Sequence, residues 1–220
     1  MTPKNTKREV DEQVVRIELD KVTLEGSLAM PAGASGLVLF AHGSGSSRLS
    51  PRNNFVAGEL RKAGLATLLM DLLTRSEDTS YETRFDINLL AERLEAATDW
   101  LSGRIDAKAA RIGYFGASTG AAAAIQAAVS MGPVIGAVVS RGGRPDLAEP
   151  YLERLTAPTL LIVGGRDDVV IELNRKAYGM LKSKKEMVIV PGATHLFEEP
   201  GALEEVALLA ADWFRKYLHP

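Results

Sequence analysis

The strongest constraint in this 220-residue sequence is a recurring unit: a short, almost wholly apolar run ending in glycine or a polar residue, then a stretch with helical spacing. The runs are LVLFAHG (37–43), ATLLMD (66–71), IGYFG (112–116), VIGAVVS (134–140), TLLIVGG (159–165) and MVIVPG (187–192). Strands without polar alternation are covered on both faces, as in a parallel sheet. Between them, apolar residues at i, i+3 and i+4 predict helices over Asn53–Ala63, Tyr81–Leu101, Ser118–Val129, Ile171–Leu181 and Leu203–Leu218. Ahead of them, Gln13–Leu19 and Lys21–Met30 alternate partly and read as an antiparallel hairpin. The expectation is an α/β fold with a mostly parallel sheet, an N-terminal antiparallel hairpin and helices on both faces. With 46% hydrophobic residues, the chain has enough apolar surface for one domain over 1–220, with residues 1–12 flexible or loosely attached.

Composition removes several function classes. The formal net charge is −2, so no basic field attracts nucleic acid or an anionic membrane. There is no cysteine, which removes a disulfide scaffold, a thiolate nucleophile and a thiolate metal site. Three scattered histidines supply no ligand spacing, so no metal is expected. The start, MTPKNTKREVDEQ, holds no apolar core of a signal peptide, and no apolar run reaches the roughly 20 residues of a membrane span. These features point to a soluble, cytoplasmic protein.

In an open parallel sheet, ligands collect at the carboxyl ends of the strands. The residues placed there are His42-Gly-Ser-Gly-Ser-Ser47, Asp71 to Arg75, Gly116 to Gly120, Ser140 to Arg144, Gly164 to Asp168 and Gly192 to His195. A hydroxyl, a carboxylate and an imidazole thus arise in the chain order Ser, Asp, His. A serine hydroxyl is a weak nucleophile at neutral pH and needs a base to take its proton, a task suited to histidine. A buried carboxylate fixes the imidazole's tautomer and stabilises the imidazolium. Gly-Ala-Ser-Thr-Gly (116–120) stands between an apolar run and an alanine-rich helix, so Ser118 occupies a strand-to-helix turn. The amide after it, that of Thr119, faces the same space and can hold a developing oxyanion beside the helix N-terminus. The competing reading makes Ser118 an ordinary helix N-cap in a glycine-rich turn. The strand-turn-helix context, with His-Gly upstream and Asp and His downstream, favours the nucleophile.

The sequence resembles the α/β-hydrolases, and within them the dienelactone hydrolase-related branch of small, cap-less esterases. The resemblance rests on LVLFAHGSGSS, GYFGASTGAA, LLIVGGRDDVV and PGATHLF and covers essentially the whole chain. It implies a serine esterase with Ser118 as nucleophile, Asp167 as the acid of a G-x-x-D pattern and His195 as the base of a G-x-x-H pattern. It further implies an oxyanion hole from the amides of Thr119 and Ser44. Dienelactone hydrolases themselves carry cysteine at the elbow, where this sequence has Ser118, so the implied chemistry is serine-type hydrolysis of a carboxylic ester, thioester or lactone. No cofactor is implied, and the partner is a small-molecule ester. An acyltransferase, a C–C bond hydrolase and a non-catalytic binding module that keeps the fold are the alternatives.

Other polar residues have quieter readings. Asp168 adjoins Asp167 and takes a turn or capping role. His42 orders its loop through hydrogen bonds, Asp71 fixes a loop, and Glu198 and Glu199 supply charge at a helix N-terminus. His219 is expected to be solvated. Arg48, Arg75, Arg141 and Arg144 all emerge at the active edge, where ion pairing with neighbours such as Glu77, Asp78 and Asp146 competes with a sharper expectation. In that expectation, Arg48, Arg141 and Arg144 bind a substrate carboxylate, since guanidinium groups suit bidentate recognition. RGGRPDLAEPYLERLTAP (141–158) is too short for a lid domain, so the site should be shallow and open.

Overall fold

The computed structural model describes residues 12–19, 21–104 and 111–218. Eight strands form one sheet: β1 (Glu12–Glu18), β2 (Thr23–Ala29), β3 (Gly36–Ala41), β4 (Ala66–Met70), β5 (Arg111–Ala117), β6 (Ile135–Arg141), β7 (Thr159–Gly164) and β8 (Lys185–Val190). Their spatial order is β1-β2-β4-β3-β5-β6-β7-β8. The β1/β2 and β2/β4 pairs are antiparallel and every other pair is parallel. The helices are α1 (Pro51–Lys62), α2 (Tyr81–Arg84), α3 (Ile87–Ser102), α4 (Thr119–Met131), α5 (Glu149–Leu152), α6 (Asp168–Met180) and α7 (Ala202–Leu218).

The apolar runs became strands because both of their faces are covered. Along β3, Leu37, Leu39 and Ala41 join the core under α3 and α4, whereas Val38 and Phe40 join the core under α1 and α7. Phe40, Phe115 and Phe214 meet in that second layer, each at most 1% exposed. Burial of a side chain of this kind is worth roughly 1.5–3 kcal/mol. The edge strand β8 lacks this double cover: only Val190 is buried, and Glu186 and Ile189 are exposed.

One helix expected as continuous is two. The segment Tyr81–Leu101 breaks at Phe85 and Asp86, and the Asp86 carboxylate accepts from the Leu89 amide at 3.1 Å, capping α3. An aspartate that satisfies an orphan amide stabilises a helix start more than it does a helix interior. The stretch between β6 and β7 forms a single 3-10 turn (Pro145–Ala148) and the four-residue α5. The expected loose segment 1–12 lies outside the described residues except for Glu12, which opens β1, and His219 also lies outside them. Among the described residues, no helix is long and apolar enough to cross a membrane.

Candidate active site

The turn between β5 and α4 is tightly constrained. Ser118 has φ 52° and ψ −122°, a conformation that costs a non-glycine residue about 1–3 kcal/mol. Three backbone bonds hold it there. The Ser118 amide donates to the Arg141 carbonyl at 3.2 Å, and the Ser118 carbonyl accepts from the amides of Ala121 and Arg144, each at 3.1 Å. Two glycines make the turn possible. A Cβ at Gly116 would stand 2.4 Å from Ala121 Cα, and one at Gly120 would stand 2.1 Å from the Ala41 carbonyl oxygen. Ser118 occupies the N-cap position of α4 but makes no side-chain capping bond, so its hydroxyl is not spent on the helix.

The imidazole comes from the loop after β8. His195 Nδ1 donates to Asp167 Oδ2 at 2.6 Å, which leaves Nε2 as the acceptor of the ring. Asp167 stands just after β7 at the N-cap of α6, yet it does not cap that helix; its carboxylate goes to the imidazole. Asp168 is the first residue of α6 and is exposed. His195 and Ser118 line one cavity of about 220 Å³, shared with Ser44, Arg52, Asn53 and Arg141.

The His195 loop is held by side chains. The Thr194 amide donates to Glu199 Oε2 at 3.1 Å, and hydrogen bonding from the Thr194 hydroxyl and amide keeps the Glu199 carboxyl below the usual carboxylate range. Glu199 thus braces the loop, a role that helix-terminal charge alone does not describe. Glu198 pairs with Arg52 at 2.6 Å. Phe197, at φ 56° and 1% exposed, drives the loop into the core beneath α7. The run PGATHLF ends on Phe197, but nothing in it gives the burial of that ring, which comes from a cluster shared with residues of β3, β5 and α7.

The opposite wall is the loop after β3. The Ser44 amide donates to Thr119 Oγ1 at 2.8 Å, so the two residues expected to supply oxyanion amides are joined directly. His42 is buried. It accepts from the Leu72 amide on Nε2 at 3.0 Å, and its Nδ1–H donates to the Gly43 carbonyl at 2.9 Å. Burial lowers its pKa from 6.5 against the opposing pull of the Gly43 carbonyl and of Asp71 and Asp78, and both ring nitrogens are spent on the loop. Asp71 accepts from the Arg48 amide at 2.8 Å, in the loop-fixing part expected of it.

The arginines separate clearly. Arg48 pairs with Glu25 and, at 3.5 Å, with Asp71. Arg144 makes a two-pronged pair with Asp146 at 2.9 and 2.7 Å, which raises its pKa. Of the three expected to meet substrate, only Arg141 lines the cavity of Ser118 and His195. Arg52 and Asn53 line it too and were missed. The signal for them was Ser50-Pro51, a cap followed by proline at the first helical position, which starts α1 directly above the site.

A parallel sheet that delivers a strained serine, a carboxylate-bound imidazole and a glycine-rich loop to one edge is an α/β-hydrolase fold. A model of the dienelactone hydrolase family matches residues 24–218, and the chain belongs to that family. A dienelactone hydrolase from Anabaena variabilis, known from a crystal structure, is 55% identical with a TM-score of 0.93, covering 96% of this chain and 99% of that one. Est1E from Butyrivibrio proteoclasticus superimposes with a TM-score of 0.79 at 18% identity, over 92% of this chain and 98% of that one, a likeness of fold alone. A Mycobacterium tuberculosis protein named putative phosphoribosyl transferase is 54% identical over 207 residues, which are 94% of this chain but 47% of that protein. The chain therefore spans about half the length of that relative, whose name describes a protein about twice as long.

Proposed function

We propose that this chain is a serine hydrolase that cleaves a carboxylic ester, thioester or lactone through an acyl-enzyme. The observation that carries the reading is the 2.6 Å bond from His195 to Asp167, with His195 and the strained Ser118 in one cavity. Ser118 Oγ attacks the substrate carbonyl while His195 Nε2 takes its proton, and Asp167 stabilises the imidazolium that forms. The tetrahedral oxyanion is held by the Thr119 amide at the N-terminus of α4 and by the Ser44 amide, which exchanges its bond to Thr119 Oγ1 for one to the substrate. His195 then protonates the leaving group, and the same imidazole activates the water that releases the acyl group.

The test is a burst experiment with p-nitrophenyl acetate alongside labelling by a fluorophosphonate. The wild type is expected to show a burst of about one equivalent and to be labelled, and Ser118→Ala to lose both. Labelling retained by Ser118→Ala refutes the reading.

A further inference from the structure

One buried amide stands behind both halves of the active edge. The loop 141–144 reaches each half. The Arg141 carbonyl accepts from the Ser118 amide at 3.2 Å, and the Arg144 amide donates to the Ser118 carbonyl at 3.1 Å. Between them, Gly142 has φ 52°, and its amide donates to the Ile162 carbonyl of β7 at 2.8 Å. A Cβ added to Gly142 would stand 3.5 Å from His195 Cε1. The loop thus clamps the serine through its main chain and lies against the imidazole. Where it sits decides where Ser118 stands relative to His195.

The loop is held in turn by α6. Asn174 Nδ2 donates to the Gly143 carbonyl at 2.9 Å and to the Val170 carbonyl, one turn back on its own helix, at 2.8 Å. Asp167, at the N-cap of the same helix, binds His195, and Asn174 follows about two turns further on, nearly in line with it. One helix therefore supplies the imidazole's carboxylate at its start and the loop's anchor at its middle. As a device for stability alone, Asn174 is poor. It is fully buried, and its Oδ1 has no hydrogen-bond partner among the described residues. An unmatched amide oxygen offsets much of what the bond to Gly143 contributes. The other buried positions of α6, Val170, Ile171 and Ala177, are apolar. What the amide adds is direction, because a hydrogen bond fixes Gly143 at one height on the helix and an apolar contact does not.

We propose that Asn174 is a positioning residue, which ties loop 141–144 to α6 so that Ser118 is held in reach of the His195 imidazole. The proposal rests on the serine-hydrolase reading for the reaction it serves, and on the loop geometry alone for the placement. Asn174 touches neither Ser118 nor His195; it acts through the carbonyl of Gly143.

Two measurements test it, and the first involves no reaction. Amide hydrogen exchange is followed by NMR in the wild type, in Asn174→Leu, which keeps a branched side chain without a donor, and in Ala177→Gly. The last loosens the same helix and leaves the tie whole. In Asn174→Leu the amides of Ser118, Gly142 and Arg144 are expected to exchange roughly tenfold faster or more relative to those of Val38 and Phe40 in β3. In Ala177→Gly that ratio should match the wild type. Asn174→Ala, which adds no bulk, carries the test if Asn174→Leu does not fold. The second measurement is the rate of fluorophosphonate labelling as a function of pH. Asn174→Leu should react about ten- to a hundredfold more slowly at every pH, with the inflection where the wild type has it. The reacting atoms are displaced, while the bond from His195 to Asp167 remains. Ala177→Gly should react as the wild type does. An unchanged exchange ratio overturns the proposal whatever the labelling shows. So does labelling that Asn174→Leu slows no more than Ala177→Gly does. Labelling retained by Ser118→Ala overturns the hydrolase reading instead, and the exchange ratio then still decides whether Asn174 places the turn.

Discussion

The two sides of the active edge are built differently. The Ser118 turn is backbone against backbone: Gly116 and Gly120 leave no room for a Cβ, and three main-chain bonds clamp Ser118. The histidine side is side chain against main chain and side chain: Asp167 on His195, Glu199 on Thr194, and Phe197 in the core. Main-chain contact cannot be trimmed without moving the sheet, whereas a side-chain bond can be removed with the fold intact. Substitutions on the first side should therefore cost stability, and removal of the side-chain hydrogen bonds on the second should cost rate.

The sharpest test of that contrast is Gly120→Ala. The added methyl would meet the Ala41 and His42 carbonyl oxygens at 2.1 and 2.5 Å, both backbone atoms. A loss of about 3 kcal/mol or more is expected, read as a fall in Tm or failure to accumulate folded protein. A normal melt would break the comparison. On the other side, Asp167→Asn is expected to lower kcat by roughly 10³- to 10⁴-fold, because the imidazole loses its oriented tautomer. Its melting curve should move by only a few degrees, and unfolding of this variant would make the two sides equivalent.

A smaller effect concerns acid. The His42 pKa is lowered from 6.5 by burial, so the unfolded chain takes up the proton before the folded chain does. Stability from this group is full above about pH 6.5 and is lost as the pH falls toward the folded value. Protonation would also set the Nε2 proton against the Leu72 amide. Thermal melts between pH 8 and 5 should show this decline, flattened in His42→Gln; identical slopes in the two proteins would remove His42 as its source.

Much of this architecture was legible from the sequence. Six apolar runs announced the parallel strands, and the residues after them included Ser118, Asp167 and His195, because a run buried on both faces has a simple composition and a definite end. What stayed hidden depends on contacts between distant segments. The pairing of Arg48 with Glu25 joins a loop after β3 to the antiparallel strand β2, and nothing local to Arg48 encodes it. Arg144, by contrast, found Asp146 two residues away, as its neighbourhood suggested. The break at Asp86 was masked by continuous apolar spacing across Tyr81–Leu101, although an aspartate three residues before Leu89 is a cap signal in its own right.

Phe197 has a consequence for heat. Its ring belongs to the same buried cluster as Val206 and Ala210 of α7, so the neighbouring imidazole takes its bearing from the seating of the last helix. Anything that loosens α7 should let His195 drift while the serine elbow stays in place. Warming is thus expected to silence turnover several degrees before the sheet itself melts.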